Sequence, residues 1–206
     1  MNILTQAKPL ENWKDNQYLV HDAELDKAYL EAGFSRSERR YKIKERHKEY
    51  NIICPEYRND AKGLEPVVII PEFLVPGRPY LIYVYMYAID LYSSSPEKGQ
   101  RQAAEKTRRH FVLETFAHTT LGRALRAFVH SVVAVADAPE EGGDETASGV
   151  AAREKGFPNV QATAPLRQRA EHFLRGRLAR AERQQLVSSC CRLAREWYRA
   201  YQRYLL

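Results

Sequence analysis

Between Gln100 and Leu125 the chain reads QRQAAEKTRRHFVLETFAHTTLGRAL, a stretch that sets basic side chains among small alanines and paired threonines. Arg101, Lys106, Arg108 and Arg109 carry cations suited to phosphate oxygens, contacts that supply affinity and register without reading sequence. His118, Thr119, Thr120, Arg123 and Arg126 follow after a short break. An arginine in such a place can hold guanine through two hydrogen bonds, and a threonine can meet a thymine methyl or a phosphate. The chemistry these residues offer is recognition of a nucleic acid.

Side chains of this kind work only if two helices hold them at a fixed angle, as in a helix-turn-helix, whose second helix enters the major groove. Ala103 and Ala104 are small enough for a helix crossing, while Phe111, Leu113 and Phe116 can lock a turn running from Val112 to Ala117. In the second helix Leu121, Ala124, Leu125 and Phe128 fall at i, i+3, i+4 and i+7, so they share one face and leave His118, Thr119, Arg123 and Arg126 on the other. Gly122 in mid-helix costs about 1 kcal/mol relative to alanine. Its expected use is to let a partner approach the backbone closely.

Catalytic constellations are missing from the sequence. A two-metal nuclease core needs carboxylates gathered at strand ends, whereas the acids here are scattered or massed in one segment. Asp90 is the one acid in an apolar aromatic run, and a helix-terminal interaction is expected for it. His110, His118 and His130 are spaced unlike metal ligands and read as surface or phosphate-contacting groups. No glycine-rich phosphate loop, nucleophile elbow or Cys-His pair occurs. Adjacent Cys190 and Cys191 have no base beside them in sequence, and no cofactor is expected.

Charge is unevenly spread. The net charge is +6, yet residues 1–100 hold 14 Lys and Arg against 15 Asp and Glu. Residues 101–130 hold 6 against 2, residues 131–150 hold 0 against 5, and residues 151–206 hold 12 against 4. A polyanion partner fits that asymmetry. Three cysteines are too few for a disulfide framework and fit a reducing, cytoplasmic setting. The start, MNILTQAKPLENWKDN, does not read as a secretory signal, and no apolar run reaches the ~20 residues of a membrane span.

Five segments are expected. Residues 1–49 read as helical over 17–48, with Tyr18, Leu19, Leu25, Ala28, Tyr29 and Ala32 on one face, Gly33 as a stop and Ser35 as the cap of a second helix. The AGFSRS turn between them reads as a plain helical hairpin. Residues 50–79 hold β-branched runs broken by proline and glycine, a small strand and loop module. Residues 80–136 open with the tyrosine-rich run Tyr80–Leu91, read as a buried helix ended by SSSP, and carry the helix-turn-helix. Residues 137–164 read as an acidic linker. Residues 165–206 read as strongly helical, with ten arginines beside a nearly continuous apolar stripe that includes Trp197 and Tyr201 and needs a partner surface.

The run PEFLVPGRPYLIYVYMYAIDLY followed by RQAAEKTRRHF and FAHTTLGRAL resembles a group of uncharacterised bacterial proteins associated with mobile elements, in which a zinc-ribbon-like module precedes a helix-turn-helix. The resemblance spans roughly residues 39–130 and implies a transposase-related or regulatory role on DNA. It also exposes a departure. Where a zinc ribbon places Cys-x-x-Cys, this chain has Cys54-Pro55-Glu56-Tyr57, with His47 as the only nearby ligand type. Structural zinc takes four Cys or His ligands, so the module is expected to be metal-free and held by Ile52, Ile53, Val68, Ile70, Phe73 and Leu74.

The expected protein is therefore mainly α with a small β/loop module, a helix-turn-helix core and long C-terminal helices. It is read as a non-enzymatic binder of double-stranded DNA, with a homodimer through the C-terminal helices and a transposase or recombinase as possible partners. The competing reading is an adaptor or inhibitor whose basic face binds an acidic protein or a ribonucleoprotein.

Overall fold

The computed structural model describes residues 2–5, 16–95, 97, 99–136, 165–179, 182–201 and 203–206. The chain divides into two compact units, Met1–Leu81 and Ile82–Leu206. The acidic segment 137–164 lies outside the described residues.

The first unit is built on a five-stranded mixed sheet, which overturns the expectation of a mainly α protein with a small β/loop module. Among the described residues, strands β1 (Asn2–Thr5), β2 (Gln17–Leu19), β3 (Ser35–Glu45), β4 (Lys48–Arg58) and β5 (Val67–Pro71) are accompanied by one α-helix, α1 (Ala23–Glu31), and a 3-10 turn at Asp60–Lys62. The span 17–48 is thus chiefly strand, and only its middle is helical. β3 and β4 form an antiparallel ribbon in unbroken register from Ser35↔Arg58 to Glu45↔Lys48. The AGFSRS segment leaves α1 through Gly33, at φ 82, and enters β3, where the Ser35 hydroxyl donates to the Arg58 carbonyl and caps no helix.

β4 is the central strand, and residues 50–79 are no separate module. One edge of β4 carries β3 along its whole length. The other is shared end to end: β2 runs parallel beside Asn51–Ile53, and β5 runs antiparallel beside Glu56 and Tyr57. β1 then pairs in parallel with β5. All five residues of β5 are buried, as a strand covered on both faces requires. Ile52, Ile53, Val68, Ile70, Phe73 and Leu74 are buried as expected, with Ile43, Ile69 and Tyr57 beside them. The Tyr18 and Phe73 rings meet edge to face at 5.4 Å.

A polar clamp fastens α1 to this sheet. Asp22 caps the helix by accepting from the Leu25 amide at 3.2 Å, and its second oxygen accepts from the Thr5 hydroxyl at 2.9 Å. One turn on, Asp26 accepts from the buried Tyr57 hydroxyl and pairs with Arg36 at 3.3 Å, while Tyr29 stacks on the Tyr57 ring at 4.7 Å. Burial, and then the Asp26 carboxylate, push the Tyr57 phenol above its ordinary pKa, so it stays a donor.

Among the described residues the second unit holds five further helices: α2 (Ile82–Ser93), α3 (Gln100–His110), α4 (His118–Ala136), α5 (Leu166–Leu174) and α6 (Arg183–Tyr201). Nine of the twelve residues of α2 are buried, so this helix must be surrounded. It is: α3, α4, α5 and α6 all pack against it. The C-terminal region is two helices, broken near Gly176 at φ 72. Their apolar stripe, expected to need a partner surface, is covered within the unit: Phe173 contacts Phe128 at 5.3 Å and Trp197 at 5.5 Å, both edge to face. A homodimer through these helices is therefore not needed to cover that stripe. Among the described residues no helix is long and apolar enough to cross a membrane.

Replacing Tyr57 by Phe strips one donor from Asp26 and is expected to cost about 1–2 kcal/mol of stability. Urea unfolding should also show that Tyr57→Phe and Asp26→Asn together cost less than their separate sum, because both remove one interaction.

Candidate nucleic-acid interface

The α3 and α4 helices stand on α2 through a compact set of side chains. Ala103, Ala104 and Thr107 are buried on α3, and the Thr107 hydroxyl turns back to the Ala103 carbonyl at 2.8 Å. Leu121, Ala124, Leu125 and Phe128 are buried on α4. Between the helices Phe111, Leu113 and Phe116 fill the turn, with Tyr83 and Tyr87 against Phe111 and Tyr85 against Phe116. Tyr83 and Tyr85 are thus core, which leaves only part of the tyrosine stripe near solvent.

The turn begins with a left-handed residue. Val112 has φ 54, its amide donates to the Arg109 carbonyl at 3.2 Å, and the Leu113 amide donates to Arg108 at 2.9 Å. These two bonds close a helix end in the pattern that ordinarily uses glycine. A β-branched residue there is strained, yet Val112 is 49% exposed and gains little packing in return.

Of the nine residues picked out for nucleic acid, Arg101, Lys106, Arg109, His118, Thr119, Arg123 and Arg126 are exposed, while Arg108 and Thr120 are half-buried. The cations are not equivalent. Glu105, missed in the sequence, accepts from Arg108 at two contacts of 2.9 Å and from Arg109 at 2.7 Å. Those bonds, Arg108 first, hold its carboxyl down at about 2. Arg101, Lys106, Arg123 and Arg126 have no carboxylate within ion-pair distance among the described residues. The i+3 and i+4 spacing of Glu105 to both arginines was the available signal.

Gly122 has a close neighbour within the unit, the side-chain end of Gln100. A Cβ at this position would sit 3.1 Å from the Gln100 Oε1 and 3.9 Å from an Arg126 terminal nitrogen. The first residue of α3 therefore lies over the N-terminal turns of α4, beside one of the candidate groove-reading arginines.

His110 lies flat on Tyr87, 4.5 Å away and 11° from parallel. Burial, then the charge of Arg183, lower its pKa, so the ring is neutral at pH 7 and offers a hydrogen bond but no charge to a phosphate. Arg183, the first residue of α6, reaches over Phe111 at 5.4 Å. Sequence spacing gave no sign that it borders this turn.

Other reactive groups are sequestered. Asp90 is buried. Burial pushes the Cys54 thiol up to about 12 and the Cys190 thiol well above its usual value, so both stay protonated and pack as small apolar groups. Among the described residues no three His, Cys, Asp or Glu side chains gather as a metal site would need. No protein-family profile, curated protein or solved structure matches this chain.

Val112→Gly should relieve the left-handed strain and raise stability by about 1 kcal/mol, read as a higher thermal midpoint. A lower midpoint would mean that the valine side chain is anchored and the turn unstrained.

Proposed function

We propose that the chain is a non-enzymatic DNA-binding protein that reads duplex DNA with α4 and grips the backbone with α3. The observation that carries the reading is the division of α4. Its inner face is closed by Leu121, Ala124, Leu125 and Phe128, while His118, Thr119, Arg123 and Arg126 stand in solvent on a helix braced by a second one. A helix braced by a second one presents these side chains from a fixed backbone, so binding need not also order the chain, which favours base-edge contacts over loose attraction. Strain stored at Val112 is of the kind that accumulates at working sites. A transposition-related or regulatory role, with a transposase or recombinase as possible partner, follows from the resemblance of residues 39–130 and belongs to the same proposal.

The division of labour is specific. Arg101 and Lys106 are the ready phosphate contacts of α3, whereas Arg108 and Arg109 must leave Glu105 before they can serve. Arg123 and Arg126 are the groove-facing cations, with Thr119 and His118 at the leading end of the helix.

Titration of duplex DNA by fluorescence anisotropy at several salt concentrations tests this. Arg123→Ala should flatten discrimination between sites, by about 1–3 kcal/mol for a lost two-bond base contact. Absence of binding at low salt would overturn the reading. Glu105→Gln should act in the opposite direction: it frees two arginines, so affinity rises and the log–log salt slope steepens by about one to two. An unchanged slope would remove Arg108 and Arg109 from the interface.

A further inference from the structure

The β3–β4 ribbon carries a second concentration of positive charge, in the unit that holds no part of the α3–α4 pair. Arg40, Lys42 and Lys44 alternate along β3 with Tyr41 and Ile43, so the three cations share one face of the ribbon. Successive members stand about 7 Å apart. Arg46, His47 and Lys48 continue the charge around the tip, and all six side chains are exposed.

The acids nearby take up only part of it. Arg40 pairs with Glu38 at 3.5 Å and Lys42 with Glu49 at 3.2 Å. Glu45 is buried, on the side of the ribbon opposite Lys44. Among the described residues no carboxylate lies within ion-pair distance of Lys44, Arg46 or Lys48.

The turn supplies an independent observation. Glu45 and Lys48 are paired in register, so Arg46 and His47 alone make the reversal, at φ 47 and φ 59. Two consecutive left-handed residues are the geometry of a type I′ turn, where Asn-Gly is the favoured pair. Two large side chains in that position weaken the hairpin. Charged residues that merely discourage pairing at a sheet edge belong on the strand, and they give no reason for a disfavoured turn.

We propose that this tip, through Lys44, Arg46 and Lys48, is a second contact to duplex DNA that binds phosphates without reading sequence. The charge complements the DNA backbone, and a two-stranded ribbon has the width that a major groove admits. The contact does not depend on α4 being the reader. It rests on the reading of the chain as a DNA binder, and it adds affinity and salt sensitivity without sequence preference.

The full chain, with Lys44, Arg46 and Lys48 all changed to Gln, is titrated against a random-sequence duplex over a salt series. The log–log slope should fall by about two to three, with the ratio between preferred and random sites unchanged. A second variant, Arg46→Asn/His47→Gly, guards against a folding artefact: it should raise the thermal midpoint while weakening DNA binding. An unchanged slope in the first, undiminished affinity in the second, or no duplex binding by the parent chain overturns the proposal. Loss of slope here with full site discrimination in Arg123→Ala would uphold the ribbon and reject α4 as the reader.

Discussion

A helix that is apolar around most of its circumference cannot stand at a surface, and α2 is such a helix. Its need for cover determines the second unit. Among the described residues four helices pack against it. Because Phe111 and Phe116 are drawn into this core by Tyr83, Tyr85 and Tyr87, the turn between α3 and α4 is held at both ends. The outward faces of those helices are then left rigid and solvated. The candidate interface is a by-product of how a buried helix is covered.

The two units solve different problems with polar groups. In the first, the buried Tyr57 hydroxyl and the Asp26 carboxylate satisfy each other, and so join α1 to the sheet at a point where apolar packing is thin: no residue of α1 is buried. In the second, Glu105 holds two arginines at an exposed surface, where an ion pair adds little stability but governs which cations are free. One carboxylate acts on the fold and the other on the availability of charge.

The second unit was more legible in sequence than the first. The i, i+3, i+4, i+7 pattern of Leu121, Ala124, Leu125 and Phe128 reports a helix with one covered face, and that is how α4 is built. Tyr80–Leu91 was readable as buried helix for the same reason. β3 was not readable, because residues 35–40 are exposed on both faces and lose the two-residue alternation that marks a strand. Apolar residues of β2 and α1, at Tyr18, Leu19, Leu25 and Tyr29, then imitated one long helix. The break in the C-terminal region was hidden because both of its helices bury a stripe against the same core. The candidate site residues were picked out by type and spacing, but Glu105 entered only as one charge in a total, and the positions of Gln100 and Arg183 were unreachable without the fold.

Pro55 gives the sheet a property that its hydrogen-bond ladder alone would lack. The Asn51 amide donates to Asn16 and the Ile53 carbonyl accepts from Val20, so alternate residues of β4 turn their backbone groups toward the edge that β2 and β5 share. By that alternation Pro55 aims its nitrogen, which has no hydrogen, at the interval between the end of β2, beside Ile53, and the β5 pairing at Glu56 and Val68. Neither neighbour can slide past this point and keep an unbroken ladder. The proline is a register mark: it assigns one strand to each half of the edge and excludes shifted pairings that would carry apolar side chains onto the wrong face.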